Sequence, residues 1–216
     1  MTRDDTPGLK DWNPISPTEV PALFIEYPGR WAIAGGWAID LYLGRQTREH
    51  GDVDIQIDRR DIGFLHQALP GWLLYLAHGD LTLWQENDPI PAGIDNLWCR
   101  LPGGPWRFQL MLGPFTDTEW QFRRDPEIAG PIASFTIVRD GIPVVAPEIQ
   151  LLYKSRSPIL DKDQHDFVHA LPYLGKARQS WLASSLSRLY EDHPWRSAIQ
   201  EYRARNPGDS PARPCS

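Results

Sequence analysis

The sequence predicts an α+β chain, in which a strand-rich half with interspersed short helices is followed by a helical half. Three observations predict it. Apolar runs of strand length, bounded by Gly and Pro, recur between Arg30 and Val145. From Pro147 onward apolar residues recur instead at three- and four-residue steps. Between the two, composition changes near Gly141, in "GIPVVAPEIQLLYKSRS".

In order along the chain, residues 1–14 are polar and are expected to form a flexible N-terminus. "SPTEVPALFIEYPG" carries a helix-start signal: Ser16 as N-cap, Pro17 at the first helical position and Glu19 three residues on, with Pro28-Gly29 as the breaker. Arg30 to Ala34 reads as a short buried strand, and Trp37 to Leu43 as a short helix closed by Gly44. Val53 to Ile57 alternates strictly. Val53, Ile55 and Ile57 take one face; Asp54, Gln56 and Asp58 take the other. Arg59 to Leu69 is expected to be helical. "WLLYLAHG" and "LTLWQ" read as paired strands turning at Gly79-Asp80, and "NLWCRLP" and "WRFQLML" as a hairpin over "PGGP". Pro147 starts the first helix of the second half, with Glu148 in its first turn. "DKDQHDFVHALPYL", "GKARQSWLASSLSRLY" and "HPWRSAIQEYRAR" supply the rest; Trp181, Leu182, Leu186 and Leu189 mark one apolar stripe. Residues 206–216 are expected to be a disordered tail. No internal repeat is present.

With 216 residues and 41% apolar content, the chain can bury a real core. Its net charge is -6, with no Lys/Arg block that would track a phosphate backbone, so nucleic acid is not favoured as a partner. The charge is uneven: 12 basic against 20 acidic residues up to Val144, then 10 against 8. Cys99 and Cys215 make neither a disulfide framework nor a zinc pattern. The N-terminus lacks the apolar core of a signal peptide, and no apolar run approaches the roughly 20 residues of a membrane span. These features lead to the expectation of a cytoplasmic protein with no membrane partner. Ten tryptophans predict an aromatic core and aromatic pocket walls.

The candidate chemistry lies in "WAIAGGWAIDLYLGRQTREHGDVDIQI", Trp31 to Ile57. Gly35-Gly36 falls between the expected strand and helix. Glycine admits close approach of backbone to phosphate, and the helix N-terminus behind it offers N–H donors. Taken alone, the pair reads more readily as a tight turn. Asp52 and Asp54 are two residues apart and share one face of a strand. Adjacent carboxylates repel unless a cation lies between them, and Mg²⁺ suits a few carboxylates completed by phosphate oxygens and water. A turn-capping Asp52 beside an exposed Asp54 explains that pair equally well.

Gly35 to Ile55, "GGWAIDLYLGRQTREHGDVDI", resembles the nucleotidyltransferase superfamily related to DNA polymerase beta, and within it the aminoglycoside 2''-nucleotidyltransferase branch. That branch carries a Gly-Gly-Trp-Ala helix opening, a Gly-Arg-x-Thr-Arg segment and His-x-Asp-x-Asp, in this order. "YKSRS" and "DKDQHDF" resemble, by type, the Lys and the Lys-Asp-x-x-Asp element of its helical part. The resemblance implies a nucleotidyltransferase fold, a mixed β-sheet with flanking helices at 15–143, followed by a C-terminal helical bundle at 144–205. It implies transfer of a nucleoside monophosphate from an NTP, with ATP the expected donor, to a hydroxyl of a small molecule such as an antibiotic. Gly35 and Gly36 would bind the triphosphate, while Asp52 and Asp54 would hold Mg²⁺. Arg48 would be a further phosphate ligand, with a structural salt bridge fitting it equally well, and Lys154 could reach the triphosphate from the helical half, with a surface lysine as the plainer alternative. His50 could reach the same face. Asp40 would orient Arg48 or the loop, and Arg45 would cap the helix end.

The family usually carries a third acid on a neighbouring strand, where it binds metal or takes the acceptor's proton. Here the strand "WRFQLMLGP" offers Gln109, and an amide accepts no proton at neutral pH. Asp95, Glu148, Asp163 and Asp166 are the candidate substitutes, Asp163 foremost as a catalytic residue. A solvated helix face is the plainer expectation for Asp163 and Asp166 together. Arg123-Arg124 forms a turn that could meet a nucleotide, though a structural role fits better. His165 and His169 lack a metal motif and are expected to pack. Gln109 keeps open a degenerate nucleotide-binding relative without turnover. A toxin-like enzyme acting on a protein or tRNA is the other alternative. The +2 balance of the helical half argues against a polycationic aminoglycoside acceptor.

Overall fold

The computed structural model describes residues 6–207. Most of the expected tail, with Cys215, lies outside the described residues, as do residues 1–5. The strands are β1 (Trp31–Ile33), β2 (Asp54–Asp58), β3 (Leu73–His78), β4 (Asp80–Leu83), β5 (Asn96–Arg100), β6 (Trp106–Gly113), β7 (Glu119–Phe122), β8 (Asp125–Pro131), β9 (Thr136–Arg139) and β10 (Ile142–Val145). Eight of them form one mixed sheet in the order β4-β3-β5-β6-β2-β1-β10-β9, while β7 and β8 form a separate hairpin. The pairs β1–β10 and β2–β6 are parallel and the other pairings of the sheet are antiparallel.

The alternation of β2 decides which way the sheet faces. Val53, Ile55 and Ile57 are buried with Leu97, Cys99, Phe108 and Leu110. The short helices α1 (Val20–Leu23) and α3 (Leu65–Ala68) close this core, through Val20 and Leu65. Burial pushes the Cys99 thiol well above its usual range, so it packs here as an apolar group. A second core joins α2 (Gly35–Leu43) and the β7–β8 hairpin to α4 (Pro147–Lys154), α5 (Asp161–Ala170), α6 (Lys176–Leu189) and α7 (Pro194–Arg205). Leu182 and Leu186 are fully buried in it, and Trp181 and Leu189 pack against its edge. Phe167 and Trp195 stack with ring centroids 4.3 Å apart. His165 and His169 stack on each other, as packing residues.

Several expectations need correction. The segment before Ser16 is pinned where it is described: Asn13 N and Ile15 N donate to Trp106 O and Arg107 O at 3.0 Å, and Trp12 packs on Trp98. Its aromatic ring has sheet to bury against, which outweighs a polar composition. The Ser16 capping box forms, but it opens a 3-10 turn, Pro17–Glu19, before the four residues of α1. Pro21 lacks the N–H that a longer regular helix would need. Residues 59–69 are not one helix. Asp58 accepts from Arg60 N and starts a 3-10 segment, Arg59–Phe64, and only Leu65–Ala68 is α-helical. Finally, α2 begins at the glycine pair itself, two residues before Trp37.

Candidate active site

The site is built from strand register. β2 runs parallel to β6 with Asp54 opposite Gln109, and residues in register on neighbouring strands project to the same face. Gln109 Nε2 donates to the Asp54 carboxylate. The amide therefore occupies the neighbouring-strand position that the sequence reading assigned to it.

The glycine pair makes room for side chains. Gly35 has φ +67°, and a methyl group there would overlap the Asp54 carboxylate. A methyl at Gly36 would overlap the ends of Arg48 and His50. Gly35 N already donates to Gln150 Oε1 at 2.9 Å, so this amide is taken, contrary to the expectation of a free phosphate donor. Gln150 comes from α4 and is buried, which locks the turn to the helical half.

Asp40 organises the loop that delivers the aspartates. It accepts from Thr47 N at 3.0 Å, from Thr47 Oγ1 at 2.6 Å and from His50 Nε2 at 2.6 Å. Burial opposes ionisation of Asp40, but the bonds from His50 and Thr47 outweigh it and hold the carboxyl below its usual range. His50 is thereby buried against Asp40, its ring tilted 36° to that of Trp37 at 4.4 Å, and it does not line the cleft described below. Asp40 orients the loop as expected, but Arg48 has another partner. Gly44 closes α2 in the left-handed conformation, and Arg45 is exposed beyond it.

Arg48 donates to both oxygens of Asp166, at 2.7 and 2.9 Å. Lys154 Nζ lies 2.9 Å from Asp166 and 3.0 Å from Asp163. Both aspartates are buried, so the solvated-face expectation for α5 is overturned: two cations reach them from other elements. Burial again opposes ionisation of Asp166, and the Arg48 hydrogen bond and the Lys154 charge outweigh it, keeping it below the usual carboxylate range. Asp163 as a catalytic base is corrected in the same way: its carboxylate holds Lys154. Asp95 pairs with Arg123 at 2.5 Å, and Glu148 pairs with Arg178 at 2.6 Å. Neither lines the cleft described next.

A cleft of about 760 Å³ separates the sheet from the helical half. Gly35, Gly36, Arg48, Asp52, Asp54 and Gln109 line it from the first half, and Lys154 and Asp163 from the second. Arg123 and Arg124 reach it from the β7–β8 turn. Arg124 also caps the end of α4, donating to Leu152 O at 2.6 Å and to Tyr153 O at 3.0 Å. Sequence reasoning missed Glu49, Gln150, Arg156 and Lys162, which also face the cleft. Glu49 lay within the quoted motif and could have been weighed there. Arg156 and Lys162 likewise lay within the quoted "YKSRS" and "DKDQHDF" segments, and nothing local marks Gln150.

Asp54 sits at the cleft floor with its carboxyl pushed up to about 6, first by burial and then by the charge of Asp52. A carboxylate held in this way gains from a cation beside it. The pair fits Mg²⁺ better than a self-sufficient protein cage. Among the described residues no group of three His, Cys, Asp or Glu side chains is placed to hold a metal. Two carboxylates leave most of an octahedron to phosphate oxygens and water.

A family model described as aminoglycoside-2''-adenylyltransferase matches residues 18–169. The chain is 26% identical over 147 residues to a lincosamide resistance protein of Staphylococcus haemolyticus, covering 61% of this chain and 78% of that protein. The solution structure of the antibiotic-resistance factor ANT(2'')-Ia superposes with a TM-score of 0.51 at 18% identity, covering 87% of this chain and 95% of that one. The lincomycin-bound lincosamide antibiotic adenylyltransferase LnuA gives a TM-score of 0.48 at 20% identity, covering 71% and 95%. The ANT(2'')-Ia superposition carries the shared nucleotidyltransferase fold, and the family match spans the glycine pair, both aspartates and the Lys154 network. The chain belongs to the aminoglycoside-2''-adenylyltransferase family.

Proposed function

We propose that the cleft transfers a nucleoside monophosphate from an NTP, with ATP the expected donor, to a hydroxyl of a small-molecule acceptor, releasing pyrophosphate. The observation that carries this reading is Asp54 wedged against Gly35, beside Asp52, in a cleft whose far wall presents Lys154. Asp52 and Asp54 would hold Mg²⁺, which when bound neutralises charge on the transferring phosphate and on the leaving pyrophosphate.

The chain's own residues do the rest. Gln109 fixes the rotation of the Asp54 carboxylate through its amide and takes no proton. Asp166 holds Arg48 and Lys154 together, so both enter the site with little freedom left to lose. An ammonium has three donors, and the two aspartates take two of those on Lys154. The third remains for a phosphate oxygen. Gly36 keeps the wall low where the triphosphate would pass. The similarity to the lincosamide resistance protein of Staphylococcus haemolyticus puts lincosamides first among acceptors to try.

The test is pyrophosphate release from ATP and Mg²⁺ with lincomycin as acceptor. Wild type is expected to turn over, and Asp54→Asn to lose at least about a hundredfold, the scale of one removed charge-stabilising group. Unchanged turnover in Asp54→Asn would sink the site. The amide at Gln109 favours a second reading, a nucleotide binder without transfer. That reading requires Mg²⁺-dependent NTP binding with no pyrophosphate from any acceptor.

A further inference from the structure

We infer that the acceptor carries at most one positive charge and that this cleft rejects polycations. The inference rests on the nucleotidyl-transfer reading and narrows its substrate class.

The charges on the cleft wall decide it. Of the carboxylates that line the cleft, Asp163 is committed to Lys154, and Asp52 and Asp54 are committed to the metal. That leaves Glu49, which is exposed and has no cation within ion-pair distance among the described residues. Of the cations, Arg48, Lys154 and Arg123 are matched by Asp166, Asp163 and Asp95. Arg124, Arg156 and Lys162 have no carboxylate partner among the described residues. Arg124 spends its donors on carbonyls and on the Tyr190 hydroxyl, which do not cancel its charge. Lys162 is near enough for its charge to favour ionisation of Asp54.

Three unmatched cations suit a triphosphate. Once phosphate oxygens take those cations, an acceptor bearing several ammonium groups finds a single free carboxylate on the cleft wall, Glu49, to pair with. Leaving the charges of a wrong partner unpaired is one of the ways a site discriminates against it. A neutral hydroxyl compound, or one with a single amine placed against Glu49, meets no such cost.

The test titrates tobramycin, a polyamine, calorimetrically at low salt into two forms of the protein. One is wild type saturated with Mg²⁺ and a non-hydrolysable ATP analogue. The other is the Asp52→Asn, Asp54→Asn double variant without nucleotide, in which the metal carboxylates are neutral. Neither form is expected to bind at micromolar concentration. Adding Arg156→Glu and Lys162→Glu to the double variant is expected to tighten tobramycin binding at least tenfold, with the gain lost in high salt. Micromolar binding to either starting form, or no gain on charge reversal, overturns the inference. If the analogue itself fails to bind with Mg²⁺, the donor-site reading falls, while the double variant still decides the acceptor charge.

Discussion

At the scale of single residues, the account turns on Asp54. Its raised carboxyl makes the ionised form unfavourable in the fold relative to an unfolded value near about 3.9. The stabilising contribution is therefore fully present below the unfolded value and is lost as pH rises through about 6. Thermal melts without metal should show this destabilising slope between about pH 4 and pH 6 and level off above it, and Asp54→Asn should flatten it. Mg²⁺ should raise the melting temperature at pH 7.5 and do little at pH 5, because it binds the ionised form. Equal Mg²⁺ effects at both pH values would place the metal elsewhere. Gly35→Ala is the second residue-scale test. The left-handed backbone alone costs about 1–2 kcal/mol, and the added methyl displaces Asp54. Loss of stability together with loss of Mg²⁺-dependent binding is expected. Gln109→Asp should strengthen Mg²⁺ binding, since it adds a carboxylate beside Asp54. Asp52 precedes β2 and lines the cleft from the loop, not from a shared strand face. Asp54 opposite Gln109 was legible because both positions depend on a period of two along strands. The reason for the glycines was not, because Gln150, which takes the Gly35 amide, is 115 residues away.

At the scale of elements, α5 and α7 show where local reading stops. Asp163 and Asp166 read as solvated because charged residues on a helix usually are. Their partners come from the loop before β2 and from α4, and no spacing rule reports them. Removing Asp166 strands two cations. Asp166→Ala should cost about 3–5 kcal/mol, as for a broken buried pair, measured by denaturant unfolding. A cost below about 1 kcal/mol would mean that the pair is solvated after all. Acid should act through the same group. Its folded value is depressed, so its contribution is lost as pH falls through that value. In α7, His193 caps the helix, with Nδ1 accepting from Trp195 N and Nε2 donating to Ser155 O. Burial holds the ring neutral, below its usual value. Its contribution is present above about 6.5 and is lost as pH falls through the lower folded value. His193→Ala should cost about 1 kcal/mol at pH 8 and less at pH 5.

At the scale of the molecule, the division into a strand-rich half and a helical half followed directly from the change in apolar period near Gly141. The hairpins β3–β4 and β5–β6 were legible from their turn residues. The strand order was not, because nothing local places β10 parallel to β1 or β2 parallel to β6. That order brings Asp54 beside Gln109 and leaves a cleft open toward α4 and α5. No helix among the described residues is long and apolar enough to cross a membrane. The most direct measurement is calorimetric titration of ATP, with and without Mg²⁺, into wild type and the Asp52→Asn, Asp54→Asn double variant. Binding that requires Mg²⁺ and is lost in the double variant is the predicted result. ATP binding of equal strength in both proteins, or without Mg²⁺, would contradict the account.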